Sequence, residues 1–405
     1  MEPNPLADQV NQQYERWVYP EPIVDLPEWL RFNWQWFDPS HAHRMFWPDR
    51  EYRTDLEILV AGCGTNQAAV IAYTNPTAHV VAVDVSAHSL DHHRYLADRY
   101  SLTNLQLHRL PIEQVANLNR EFDLIISTGV LHHLADPDAG LRALAQCLRI
   151  DGVIALMLYA SYGRLGVEIL QSVFADLDLG RNEQSLAWIR DAVRQVNPQH
   201  PLVGYLQIAP DLNDDAGLVD TFVHARERSY TIDECRAFVN DAGLVFQDLF
   251  LKSPYYAPPA SGSAFLSWVA TMPSDLQWSV MERMNTLNAC HFFMACRADR
   301  PTWSYNIDFT SPRALQYTPS YRHYCRLDGD LLTKAGGQLQ LAPGERELVQ
   351  LVDGERSLEA IIKQVQLQLA RTQHGRSDGV SARAVALFSV LWQQDYLAMG
   401  ITGTG

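Results

Sequence analysis

Apolar residues in this chain come in short, nearly unbroken runs separated by amphipathic stretches. "LEILVAG", "HVVAVDV", "LQLHRL", "FDLIIST" and "VIALMLYA" fall between positions 56 and 160, and each reads as a strand. Between them, "NQAAVIAY", "SAHSLDHHRYLADRY" and "DPDAGLRALAQCLR" read as helices, with Ser86 as the N-cap of the second. "IEQVANL" reads as a helical turn. Strands that are apolar on both faces and alternate with helices predict an α/β fold with a doubly wound parallel sheet covered on both sides. Residues 160–229 break the rhythm with further helical pieces and a loop rich in Asn, Asp and Gly, so they are expected to form a cap insertion over the carboxyl edge of the sheet. The rhythm resumes with a helix at "TIDECRAFVNDAGL" and a strand at "VFQDLFLKS". A helical stretch around 262–286 and a strand at "ACHFFMACRA" follow.

The flanks have a different texture. Residues 1–50 carry many aromatic side chains broken by Pro20, Pro22, Pro27 and Pro48, and are expected to form an aromatic lid. The repetitive part spans 51–299. Residues 300–330 read as a linker, and 331–405 as a small, mainly helical module with three amphipathic segments, "PGERELVQLVD", "SLEAIIKQVQLQLA" and "SARAVALFSVLWQQ".

Composition narrows the function classes. The chain has 405 residues, 47% hydrophobic, and a net charge of −15. Such a field repels phosphate backbones and anionic lipid, so neither nucleic acid nor membrane is an expected partner. The six cysteines form no CxxC pair and sit mostly in apolar runs, which points to free thiols in a reducing compartment. The first residues lack the pattern of a signal peptide, and no window is long and apolar enough to span a bilayer. A cytoplasmic protein is expected.

The chemistry starts at "ILVAGCGTNQAAV". A strand leaves through Ala61, Gly62, Cys63 and Gly64 and enters a helix at once. Glycines there let a ligand approach the backbone. Asp84 ends the next strand, with Val85 after it, where a carboxylate can accept hydrogen bonds from ribose hydroxyls. The dinucleotide fingerprint would place a third glycine at position 67, which is Gln67. An adenosine cofactor without a pyrophosphate therefore fits better.

"ILVAGCGTNQ", "VVAVDVS" and "EFDLIISTGVLHHLADPDAGLRALAQCLRIDGVIALMLYA" together resemble the class I S-adenosylmethionine-dependent methyltransferases. The leader "QQYERWVYP" is similar to that of a bacterial subgroup with an aromatic N-terminal segment and a C-terminal winged-helix-like module. The resemblance implies a Rossmann-like, mostly parallel seven-stranded sheet and S-adenosylmethionine as cofactor. It implies that Gly62 and Gly64 approach the methionine part, that Asp84 holds the ribose, that Ile112 packs on the adenine, and that Thr128 and Gly129 line the sulfonium side. The chain departs from the family pattern at Val60, Asn66 and Pro111. A non-catalytic S-adenosylmethionine-binding scaffold is the alternative reading.

Other candidates surround this frame. His132 follows the fourth strand and is the expected general base, with Tyr159 and His224 as further catalytic candidates. His133 is expected to be structural. Asp220 and His224 are plausible substrate contacts if the cap closes the pocket, with a solvated loop in which Arg226 and Arg228 make local ion pairs as the alternative, and Tyr162 and Arg164 are expected at the same mouth. Tyr14 and Trp17 are expected to pack over the cofactor. His88, His92 and His93 lie on one helix but lack a third ligand type, so a solvated face is expected rather than zinc. "DLNDDAG" at 211–217 imitates a calcium loop but has Ala216 and Phe222 at the deciding places. No metal is expected. Residues 331–405 hold seven basic and seven acidic residues, which favours a protein contact, such as substrate recruitment or a homodimer, over a duplex. The acceptor is expected to be a peptide or protein side chain or a small molecule.

Overall fold

Every apolar run becomes a strand. The computed structural model describes residues 8–258, 262–371 and 379–401. In chain order the first seven strands are β1 (Glu57–Ala61), β2 (His79–Asp84), β3 (Leu105–Arg109), β4 (Phe122–Thr128), β5 (Leu148–Tyr159), β6 (Leu244–Leu249) and β7 (Cys290–Arg297). They form one sheet in the order β3-β2-β1-β4-β5-β7-β6. β1 to β5 run parallel, and β7 is antiparallel to both β5 and β6. Ile58, Leu59, Val60, Val81, Leu124, Ile125 and Ile154 are fully buried, as strands covered on both faces must be.

The helices start where side chains can cap them. Ser86 accepts a hydrogen bond from the Ser89 amide and starts helix Ala87–Tyr100. Asp136 caps Pro137–Gln146, and Thr231 and Glu234 make a reciprocal capping box on Ile232–Asp241. The helix expected to run through Arg149 stops sooner, because β5 begins at Leu148, which pairs with Phe122.

The insertion forms the helices Leu165–Asp176, Glu183–Gln195, Leu202–Leu206 and Asp215–Phe222. These helices share a core that includes Val167, Phe174, Ile189, Leu202 and Phe222. The calcium-like loop instead supplies Asp214, which caps the last of these helices by accepting from the Gly217 amide at 2.7 Å.

Two compact units divide the chain. The first comprises 1–37, 54–249 and 278–299; the second comprises 38–53, 250–277 and 300–405. The expected lid therefore does not act as one piece, since residues 38–53 belong to the second unit. The expected linker is also structured. Tyr317–Tyr321 is strand β8, and its Tyr317 is buried in the second unit's core. The ribbon β9 (Arg326–Asp328), β10 (Leu331–Lys334) and β11 (Gly337–Gln340) follows, and β12 (Leu397–Ile401) pairs with β8. The three expected helices are Pro343–Val349, Leu358–Arg371 and Val380–Gln393. Among the described residues no helix is long and apolar enough to cross a membrane.

Candidate active site at the carboxyl edge of the sheet

The crossovers reverse direction between β1 and β4, so a crevice opens at their carboxyl ends. Gly62 and Gly64 line it with φ of +75° and +52°, a region that L side chains avoid. A Cβ on Gly62 would sit 2.5 Å from both Val130 methyls. The Gly62 and Cys63 amides donate to the Val83 carbonyl at 2.9 and 3.1 Å, which ties the turn to β2. Ala61 accepts from the Ser127 hydroxyl at 3.0 Å.

Asp84 is half-buried and accepts one amide on each oxygen, Gly64 N on Oδ2 and Ser86 N on Oδ1, both at 2.9 Å. Burial pushes its pKa up to about 6, against the pull of those amides. The remaining lone pairs suit the hydroxyls of a ribose, so the donor set fits a nucleoside. The Val85 carbonyl accepts from Arg109 at 2.9 Å. Ile112 is buried in the turn that follows Pro111. Thr128 accepts from the Gln67 amide at 3.1 Å, and Gly129 donates to the Met157 carbonyl at 3.1 Å. His93 is fully buried with its ring toward the Cys63 and Gly64 backbone, and burial lowers its pKa to about 4.

The N-terminal leader lies on this turn. A Cβ on Gly64 would stand 3.2 Å from Pro20. Thr65 donates to the Pro20 carbonyl at 2.7 Å. Asn66 donates to the Glu21 carbonyl at 2.7 Å and accepts from the Ile23 amide at 2.9 Å. The departure at Asn66 is therefore a leader anchor. The histidines expected on a solvated face are anchors too: His92 bonds the Ile23 carbonyl at 2.9 Å and His88 pairs with Glu15 at 2.6 Å. Glu15 also accepts from the Ala87 amide at 2.6 Å, and Arg226 grips Asp8 with two bonds of 2.9 and 3.2 Å. Trp17 packs against the cap core.

A second cluster stands beside the leader. Tyr14 Oη donates to Asp220 Oδ1 at 2.9 Å and Tyr159 Oη to Oδ2 at 3.2 Å. His224 Nδ1 accepts from the Arg226 amide at 3.0 Å, so its Nε2 carries the proton and faces Tyr14 Oη at 3.3 Å. His133 stacks on His224 at 3.8 Å and donates Nδ1–H to the Arg226 carbonyl at 2.8 Å, which leaves its buried Nε2 without a partner among the described residues. His132 lies 4.0 Å from the Tyr159 ring, and among the described residues neither of its ring nitrogens has a hydrogen-bond partner. Burial lowers the pKa of His133 and of His224 to about 3, and His132 is also well lowered. All three rings are neutral and weakly basic, and burial raises the pKa of Asp220 beside them.

Arg164, 1% exposed, lies 3.7 Å over the Tyr159 ring and pairs with Glu227 at 2.8 Å. Tyr162 is more than a third exposed, and Arg228 pairs loosely with Glu234 at 3.8 Å, so neither joins the cluster. Nitrogens of His133 and His224 and an oxygen of Asp220 lie within 4.8 Å of one another. With His224 committed to the Arg226 amide and Tyr14, two free donors remain, too few for a typical metal site.

Residues 59–154 match a family described as Methyltransferase domain. The chain is 32% identical over 256 residues to an uncharacterized protein of Synechococcus sp., covering 60% of each chain. It is 30% identical over 118 residues to a malonyl-[acyl-carrier protein] O-methyltransferase of Acetivibrio thermocellus, covering 29% of this chain and 39% of that one. It thus spans less than two thirds of either relative. PKMT2 from Rickettsia typhi in complex with AdoHcy shares the fold at a TM-score of 0.63 and 13% identity, covering 90% of this chain and 76% of that one. The glycine turn and Asp84 lie inside the matched segment, so residues 59–154 form a methyltransferase domain with S-adenosylmethionine as its methyl donor, set in a sheet that has the fold of PKMT2.

Proposed function

We propose that this chain methylates a nitrogen of a cationic amine, carried by a protein or peptide side chain or by a small molecule. One observation carries the reading. Asp220 is 3% exposed, and among the described residues no Lys or Arg pairs with it. Two phenols hold it instead, and the guanidinium of the same cluster is neutralised by Glu227. A buried carboxylate without a counter-ion is costly, and an ammonium group would complete the pair. An acceptor bearing a carboxylate would meet like charge there. The net charge of −15 likewise disfavours a nucleic acid acceptor.

S-adenosylmethionine, when bound, supplies an electrophilic methyl group on a sulfonium for in-line displacement. Gly62, Gly64 and Asp84 would hold it. Tyr14 and Tyr159 orient the Asp220 oxygens, and Asp220 binds the ammonium and accepts the proton that its nitrogen must lose before attack. The neutral imidazoles of His132, His133 and His224 wall the cluster without adding positive charge.

The test titrates the chain calorimetrically with S-adenosylmethionine and S-adenosylhomocysteine, then screens amine and carboxylate acceptors for turnover. Asp84→Ala should weaken cofactor binding about tenfold or more, through loss of charge-assisted hydrogen bonds. Asp220→Asn should keep cofactor affinity and lose amine turnover by about a hundredfold. Turnover on carboxylates alone would refute the amine reading.

A further inference from the structure

The cap carries an apolar face that its own core does not use. Helix Leu165–Asp176 buries Val167, Leu170 and Phe174. Its opposite side presents Leu165, Ile169, Val173 and, just past its end, Leu177, at 49, 38, 40 and 63% exposure. A four-residue spacing places them in one stripe. At the amino end of this helix Gly166 presses against the Leu202 backbone, which seats the helix on the rest of the cap. Arg164 precedes the first helical residue and reaches into the Asp220 cluster, so the stripe starts beside the proposed acceptor site. Single exposed apolar residues are ordinary, but a continuous stripe marks an interaction surface.

Charge selects the occupant. Glu168, Asp176 and Asp178 are exposed along the stripe, and between Leu165 and Gly180 there is no Lys or Arg. A second copy would bring the same acidic helix against its twin, on a chain of net charge −15. We propose that the stripe docks a basic, amphipathic segment of a polypeptide acceptor, with aliphatic residues on Leu165, Ile169 and Val173 and lysines against the acidic flank. This rests on the amine reading and names the carrier of the amine: a polypeptide that binds outside the pocket it enters.

The test uses the full chain with S-adenosylhomocysteine bound and two short labelled helical peptides. Both have leucine at helical spacing; one carries lysine elsewhere, the other glutamate. The Leu/Lys peptide should bind and the Leu/Glu peptide should not. The Ile169→Ser/Val173→Ser double variant should weaken the Leu/Lys peptide about tenfold, and salt should weaken it further. Equal binding of both peptides, binding of neither, or an unchanged double variant overturns the proposal. So does a wild-type dimer in sedimentation that the double variant converts to a monomer, because a second copy then covers the stripe. Unchanged S-adenosylhomocysteine affinity in the variant shows that it folds. Turnover of small amines in the same variant separates failure of docking from failure of the amine reading.

Discussion

Gly62 concentrates two demands on one residue. Its φ of +75° costs an L side chain about 1–2 kcal/mol, and a Cβ would collide with Val130 at 2.5 Å. Gly62→Ala should therefore destabilise the domain by about 2–4 kcal/mol in urea unfolding. Adding Val130→Ala should recover the collision share but not the backbone share. Asp84 makes a different demand. With a pKa near 6, it should lose affinity for S-adenosylhomocysteine as pH falls below about 6, because the protonated carboxyl has one acceptor fewer. Calorimetry across that range should show the fall in the wild type and a flat profile in Asp84→Asn. Both residues were legible in the sequence, because a glycine after a strand and an acid ending the next strand are local signals. Asp220 was legible only as one candidate among several. Its importance comes from Tyr14, which is 206 positions away, and no local pattern encodes that.

Strands and caps were legible for a similar reason. An apolar run bounded by polar turns reports burial on both faces, and Ser86, Asp136 and Thr231 announce helix starts by residue type. β8 and the β9–β11 ribbon were missed because they are short and their burial alternates weakly. The sequence predicts an aromatic lid for the leader, yet its seat on the glycine turn is polar. Thr65 and Asn66 hold it through three hydrogen bonds of 2.7 to 2.9 Å. Thr65→Val with Asn66→Ala should remove about 1 kcal/mol per bond and leave buried partners unsatisfied. Hydrogen exchange should then show lost protection at Ile23 and Leu26, with protection in β1, β2 and β4 retained. Retained protection at Ile23 would mean that aromatic packing, not these bonds, fixes the leader.

At the scale of the whole molecule, buried titratable groups set the response to acid. His132, His133, His224 and His93 are neutral in the folded chain: burial lowers His93 to about 4, His133 and His224 to about 3, and His132 well below the usual imidazole range. Below about pH 6.5 the unfolded chain protonates these rings and the folded chain does not. Each histidine therefore removes up to about 1.4 kcal/mol of stability per pH unit as pH falls. Three carboxylates act in the opposite sense. Burial raises the pKa values of Asp84, Asp220 and Glu227, so the folded chain takes up those protons first and gains stability as pH falls. Asp84 does so around pH 6. Stability should thus be level above about pH 7.5 and fall as pH drops through the range where the unfolded histidines protonate, with the three carboxylates making the fall shallower. Urea midpoints at several pH values would check this, in high salt so that the net charge of −15 is screened. Asp84→Asn removes one opposing group and should steepen the fall below pH 6 without moving its onset. A fall that begins only near pH 4 would show that the buried histidines carry no such penalty, and that water reaches their rings.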